Sequence, residues 1–203
     1  LLALQREDGG FAPRPGARRS DLHTSARCAA ALVAARRGGV EIPASAVAQI
    51  AGFLSAQVGT TGAPAPHPAL LALALRSLAL LDVSATTQLD ALYLATSGRG
   101  SVNGRTVPLH ARAWLMEALH ALDPSDVRIE ELHQGLREAA LERGDGVTFP
   151  EDPDGIVPGA LHTPDLTDAV VLHALLTTRP SDTLIPRIAS GLIGSMRRGR
   201  WST

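Results

Sequence analysis

The chain of 203 residues has no lysine, one cysteine and only six aromatic side chains. A single cysteine cannot form an internal disulfide and cannot build a zinc site alone. Proteins commonly hold sugars against aromatic rings, so this scarcity disfavours a carbohydrate-processing enzyme. The longest apolar stretch, residues 68–81, contains Arg76 and Ser77 and is too short to span a bilayer. It predicts a buried helix.

Charge is nearly balanced, with 19 basic residues, all of them arginine, against 20 acidic residues and a net charge of -1. This balance gives no electrostatic reason to expect nucleic acid or an anionic membrane as partner. The 45% of apolar residues excludes intrinsic disorder, and the length favours one domain. Because alanine and leucine dominate, helices can approach closely, which favours an all-α fold.

Eight predicted helical segments alternate in character along the chain. Four are apolar on nearly every side: residues 22–37, 69–81, 109–122 and 166–176. The four between them carry a single apolar stripe: residues 44–57, 85–96, 126–143 and 182–197. A helix that is apolar all round must be enclosed. We therefore expect an α/α toroid, an incomplete ring of about four helix hairpins with inner apolar and outer amphipathic helices, ahead of an open solenoid.

Glycine-rich turns follow the outer helices and recur about every 45 residues, the period of stacked helix pairs. The aromatic residues Phe11, Phe149 and Trp201 lie in or beside these turns. We expect them to fill the gaps between successive hairpins while glycine permits the tight turn. Serines at 20, 125 and 181 stand where a helix N-cap is needed.

Two spans resemble a known family. Residues 1–43 contain LLALQREDGGF followed by HTSARCAAALVAARRGGVEIP, and residues 166–203 read LTDAVVLHALLTTRPSDTLIPRIASGLIGSMRRGRWST. Both are similar to the toroidal, thioester-bearing domain of the bacterial alpha-2-macroglobulin family. The first turn alone also resembles the turns of terpenoid cyclases and prenyltransferase β subunits, which share the toroid.

The resemblance implies a non-catalytic scaffold domain, residues 1–203, of a longer extracytoplasmic protease inhibitor that traps proteases after bait cleavage. Its implied partners are the other domains of the parent chain and, through the parent, target proteases. The chain departs from the family because no glutamine follows Cys28 three residues on. We therefore assign it no thioester and no acylating chemistry. We expect the excised arc to self-associate through its apolar ends, Leu1 to Leu4 and Trp201.

Few residues stand out as candidate sites, and we predict no catalytic, cofactor-binding or metal-binding residue. Cys28 on an alanine-rich helix is expected to pack as a small hydrophobe, and His67 to be an ordinary loop histidine. His23 and His162 each precede an inner helix, without the companions of a metal site. The acidic segment 151–155 lacks the length and terminal glutamate of a calcium loop, so we expect a solvated loop.

Two alternatives remain open: a toroidal enzyme of the terpenoid cyclase or prenyltransferase type, and a helical-repeat protein-binding module. An enzyme should show a deep axial cavity with paired carboxylates. A binding module should show an open concave face. A macroglobulin scaffold should show a shallow, alanine-lined axis without converging charges.

Overall fold

The computed structural model describes residues 2–14, 16–59, 66–98, 102, 104–151 and 163–196. Over these residues the protein is mostly helical, which confirms the all-α prediction at this level. The helices are α1 (Leu22–Arg37), α2 (Ala44–Gly59), α3 (Pro68–Leu80), α4 (Thr86–Thr96), α5 (Leu109–Leu122), α6 (Arg128–Ala139), α7 (Pro164–Thr178) and α8 (Leu184–Ser195). Two short antiparallel strands, β1 (Leu141–Arg143) and β2 (Gly146–Thr148), follow α6.

The helices form two layers. Helices α1, α3, α5 and α7 pack against one another in sequence order and make up what we call the core layer. Helices α2, α4, α6 and α8 each pack on the core-layer helix that precedes them, and we call them the flanking layer. The apolar segments predicted to be inner helices thus form one layer and the amphipathic segments the other.

Burial follows the predicted difference between the layers. Leu73, Leu115 and Val171 in the core layer are at most 1% exposed, whereas Cys28 is half-buried. In the flanking layer the predicted stripes face the core through Ile50, Leu54, Ile129, Leu132, Leu136, Leu184 and Ile188. Burying each such side chain contributes about 1.5–3 kcal/mol, so the stripes fix which face of each flanking helix points inward.

The two outermost core-layer helices differ from the central two. Helices α3 and α5 are buried almost all round, as their composition requires. Helix α1 exposes Arg27 and Ala31, and α7 exposes His173 and Leu176. In the described part of the chain, no helix is both long and apolar enough to cross a membrane.

The predicted end of the sixth helix at Arg143 is wrong. Helix α6 stops at Ala139, and the chain turns at Gly144, whose φ of +56° suits glycine, to pair Leu141 with Thr148. Val147 on β2 is 1% exposed and packs in the core. Burial of Val147 beside α8 favours a hairpin here over another helical turn.

The predicted serine caps are wrong, because the N-cap residues are Asp21 in α1, Val127 in α6 and Thr183 in α8. In each case the aspartate that follows the predicted serine accepts an amide at the start of the helix. Asp21 accepts from Thr24 at 2.7 Å, Asp126 from Arg128 at 2.9 Å and Asp182 from Leu184 at 2.7 Å. A carboxylate is a stronger acceptor than a hydroxyl, and its charge complements the positive end of the helix.

Candidate functional site

The first glycine turn is held by side chains on both sides of it, which we call the first turn cluster (Gln5, Asp8, Phe11, Ser20 and Ser25). Asp8 Oδ1 accepts from the Gly10 amide at 3.0 Å and from Ser20 Oγ at 2.7 Å. The Phe11 amide donates to Ser25 Oγ of α1 at 2.9 Å. Gln5 Nε2 donates to the carbonyls of Gly9 and Ala46, both at 3.0 Å. The turn is thereby fastened to α1 and α2.

A similar arrangement lies at the start of α7. We call it the second turn cluster (Thr148, Phe149, Glu151, Thr167 and Asp168). The Phe149 amide donates to Asp168 Oδ1 at 2.7 Å, and Thr148 Oγ1 donates to Asp168 Oδ2 at 2.8 Å. Burial raises the pKa of Asp168, although these two hydrogen bonds oppose the rise. In both clusters the amide of a phenylalanine is bound by a side chain of the next core-layer helix.

Glu151 joins α5 to α7. Its carboxylate accepts from the amides of Leu109 and His110 at 3.0 and 2.9 Å, from His110 Nδ1 at 2.6 Å and from Thr167 Oγ1 at 3.0 Å. Burial raises its pKa, but the hydrogen bonds from His110 and Leu109 outweigh burial and the net pKa is lowered. The prediction of a solvated loop is therefore wrong for Glu151, which caps α5; residues 152–155 lie outside the described part.

Two of the three aromatic side chains predicted to fill gaps between hairpins are buried. Phe11 is 2% exposed and Phe149 is 1% exposed, each within the hydrophobic core. Trp201 lies outside the described residues. Close backbone approach accompanies both turns, since a Cβ on Gly9 would lie 2.2 Å from the Gln49 carbonyl oxygen and one on Gly146 would lie 2.6 Å from Gly191 Cα.

Cys28 and His67 are placed in structural roles. Burial raises the pKa of the Cys28 thiol, which lowers its thiolate fraction and its nucleophilicity. His67 is the N-cap of α3, and its Nδ1 accepts from the Ala69 amide at 3.2 Å.

His23 is half-buried on α1, and its pKa is lowered by burial and by the nearby charge of Arg27. His162 lies outside the described residues, so the predicted pairing of the two histidines on one rim stays a prediction. Among the residues that the structure describes, no three His, Cys, Asp or Glu side chains are grouped to hold a metal ion.

A charged row (Arg27, Arg76, Glu117 and His173) crosses the core layer with one residue from each of its helices. Glu117 Oε2 accepts from Arg76 Nε at 2.7 Å and lies 3.1 Å from His173 Nδ1. Arg27 lies close enough to Arg76 for the two charges to interact, and burial together with that repulsion lowers the pKa of Arg27. Glu117 thus joins α3, α5 and α7, whereas Arg27 of α1 and Arg76 repel each other.

The environment of Glu117 makes this row costly. Its side chain is 4% exposed, and within the described residues its Oε1 is buried without a hydrogen-bond partner. A buried carboxylate needs its cations, because an unpaired charge in a low-dielectric interior is strongly destabilising. We infer that Arg76 chiefly neutralises Glu117.

The row brings opposite charges together across the core layer. Its sequence signal is the lone charge within each of two otherwise apolar stretches, Arg76 in α3 and Glu117 in the second half of α5. Buried charges of opposite sign are usually paired. If the core-layer helices are assumed to pack in sequence order, the opposite charges of Arg76 on α3 and Glu117 on α5 predict this contact.

Neither the scan against protein-family models nor the search of curated proteins found a match to this chain. The resemblance described above therefore rests on the quoted residues.

Proposed function

We propose that this chain is a non-catalytic scaffold domain of a bacterial alpha-2-macroglobulin-like protease inhibitor, in which its helix pairs form an arc of an α/α toroid. The two-layer packing, with apolar helices in the core layer and striped helices outside it, supports the toroid. The residues 1–43 and 166–203 that resemble the family support the assignment to an inhibitor.

The observation that carries the non-catalytic role is how the motif residues are used. Asp8, Ser25 and Asp168 have their polar groups bound to backbone amides or hydroxyls of the same chain. Thr167 donates to Glu151 in the same way. Side chains committed to holding turns are poorly placed to bind or transform a substrate. The motifs therefore serve to space and orient the hairpins.

In this role the domain contributes rigidity to a larger molecule. Its partners are the other domains of the parent chain, and proteases are captured by the parent as a whole. An extracytoplasmic location belongs to the same proposal, because trapped proteases act outside the cytoplasm.

The test uses the full-length protein that contains this chain, incubated with trypsin. Cleavage of a small chromogenic peptide and of a large protein substrate is followed in the same mixture. Trapping predicts that peptide cleavage continues while cleavage of the large substrate falls, because only small molecules reach a caged protease. Unchanged cleavage of the large substrate, or equal loss of both activities, would overturn the proposal.

The charged row favours a second candidate, a helical-repeat module that binds an acidic protein segment. Arg27 is exposed beside the partly buried Arg76, so the row offers positive charge at the edge of the core layer. A hexaglutamate peptide should bind the full-length protein in a salt-dependent manner. Binding should weaken in Arg27→Glu and stay unchanged in Arg36→Glu, an exposed arginine on the same helix. No binding, or equal effects of the two variants, would argue against this candidate.

A further inference from the structure

A small pocket lies between the two layers and is lined by no residue of the turn clusters or the charged row. It has a volume of about 110 Å³ and is lined by Tyr93 and Thr96 of α4, Arg112 of α5, and Glu131 and Gly135 of α6, among others. Arg112 and Glu117 are five residues apart on α5, which separates them by about 140° around the helix. The pocket therefore opens on a different side of α5 from the charged row.

Arg112 brings a positive charge to this pocket without a negative partner in contact. Its Nε donates to the Val107 carbonyl at 3.0 Å, and its terminal nitrogens bind no other described residue. The side chain is half-buried, and burial lowers the pKa of Arg112 while the charge of Glu151 partly restores it. A half-buried guanidinium with unused donors is suited to a carboxylate.

The pocket lining also carries negative charge. Glu131 contributes a carboxylate, which accepts the Tyr93 hydroxyl and keeps further lone pairs. Helix α4 ends at Thr96, so its negative C-terminal end also borders the pocket. An ammonium group would be stabilised there by charge and by hydrogen bonding.

The size of the pocket limits the ligand. One water needs roughly 10–15 Å³ of such space, so the pocket has room for about seven to eleven heavy atoms. It is smaller than the pockets of about 300–1,000 Å³ that take drug-sized ligands. A ligand must therefore carry both charges on a very small frame.

We propose that this pocket binds a small free α-amino acid, with its carboxylate on the terminal nitrogens of Arg112 and its ammonium on Glu131. The site is independent of the scaffold role, because its walls come from α4, α5 and α6 and use none of the turn-cluster residues. Arg112 and Glu131 lie on adjacent helices of different layers, so each can bind one charged group of the ligand, Arg112 the carboxylate and Glu131 the ammonium.

Isothermal titration of the full-length protein tests the proposal with L-alanine, propionate, ethylamine and L-tryptophan. L-Alanine should bind at least tenfold more tightly than propionate or ethylamine, each of which carries only one of the two charges. L-Tryptophan should not bind, because its side chain exceeds the pocket. No heat of binding with L-alanine, or equal affinity for L-alanine and propionate, would overturn the proposal.

Two variants locate the site. Arg112→Gln removes the cation, and Gly135→Leu fills the pocket without touching Arg112. A Cβ on Gly135 meets no atom within 4 Å, so the backbone tolerates the larger residue. Both should weaken L-alanine binding at least tenfold. Gly52→Leu, at another helical glycine with open space, is the matched control and should leave affinity unchanged. Unaltered binding in folded Gly135→Leu would place the ligand elsewhere and contradict the proposal.

Discussion

Asp168 binds the backbone amide of Phe149 at 2.7 Å, and this hydrogen bond ties the turn of the second turn cluster to the start of α7. Ser25 binds the amide of Phe11 in the corresponding place before α1, at 2.9 Å. The two oxygens differ in chemistry but satisfy the same donor, a buried amide that precedes a core-layer helix. In both turns, therefore, the following core-layer helix supplies a side-chain acceptor for the amide of the phenylalanine.

Removing the Asp168 carboxyl should destabilise the protein more than neutralising it. Asp168→Ala leaves the Phe149 amide without its acceptor and should cost about 1–3 kcal/mol of unfolding free energy. Asp168→Asn keeps one carbonyl oxygen for that amide and removes a buried charge, so it should cost less. Urea unfolding of both variants at neutral pH measures the difference. Equal losses would show that the amide contact contributes little.

The Arg76–Glu117 contact should behave as a buried ion pair, since the two side chains are 13% and 4% exposed. Arg76→Ala leaves the buried Glu117 carboxylate with only its His173 contact and should cost up to about 3–5 kcal/mol. The double variant Arg76→Met, Glu117→Leu removes both charges and should be much less destabilised than Arg76→Ala alone. Urea unfolding compares them. A double variant as unstable as the single one would contradict the assignment of Arg76 to neutralising Glu117.

The contact between β2 and α8 should not tolerate a side chain on either backbone. A Cβ on Gly191 would lie 2.5 Å from the Val147 carbonyl oxygen. Gly146→Ala or Gly191→Ala should therefore lower the melting temperature, with a cost of about 1–3 kcal/mol from overpacking. Gly135→Ala, in an open position of α6, is the control and should stabilise by about 0.5–1 kcal/mol. Neutral substitutions at 146 and 191 would disprove the close packing.

Stability should fall as the pH is lowered below about 4.5, the ordinary value for glutamate. In the folded state, hydrogen bonds from His110 and Leu109 lower the pKa of Glu151. Hydrogen bonds from Leu184, His133 and Arg137 lower the pKa of Asp182. Burial opposes the lowering of both pKa values. A carboxylate with a lowered pKa stabilises the fold above its unfolded value and loses that contribution as the pH falls through the folded value.

Asp168 acts in the opposite direction, because its raised pKa favours the protonated form in the folded state. The unfolding free energy, measured at intervals between pH 7 and pH 3, shows whether the lowered pKa values of Glu151 and Asp182 outweigh the raised pKa of Asp168. Glu151→Gln should flatten the decline and Glu41→Gln, an exposed carboxylate, should not. A stability that rises steadily towards pH 3 would show that the lowered pKa values are misassigned.

The helical part of the fold could be predicted because it depends on local patterns. The bounds 22–37 and 109–122 agree with α1 and α5, since side chains three and four apart decide which helix faces are buried. The end of α6 could not be found in this way. Val147 makes the hairpin favourable only through its burial in the core beside α8.

The side-chain contacts were harder to predict because their partners are distant in sequence. Glu151 caps α5 across about forty residues of chain, and nothing near Glu151 in the sequence marks it as a cap. The serine caps failed for a local reason, since an aspartate next to each serine competes for the same amide and accepts it more strongly.

The central claim is that the motif residues hold the scaffold together and take no part in capturing protease. The most direct measurement is the amount of trypsin captured per folded molecule by full-length Asp168→Ala, with the folded fraction determined by circular dichroism. The account predicts the wild-type value for each folded molecule. A folded variant that captures no trypsin, beside a wild-type protein that does, would contradict it.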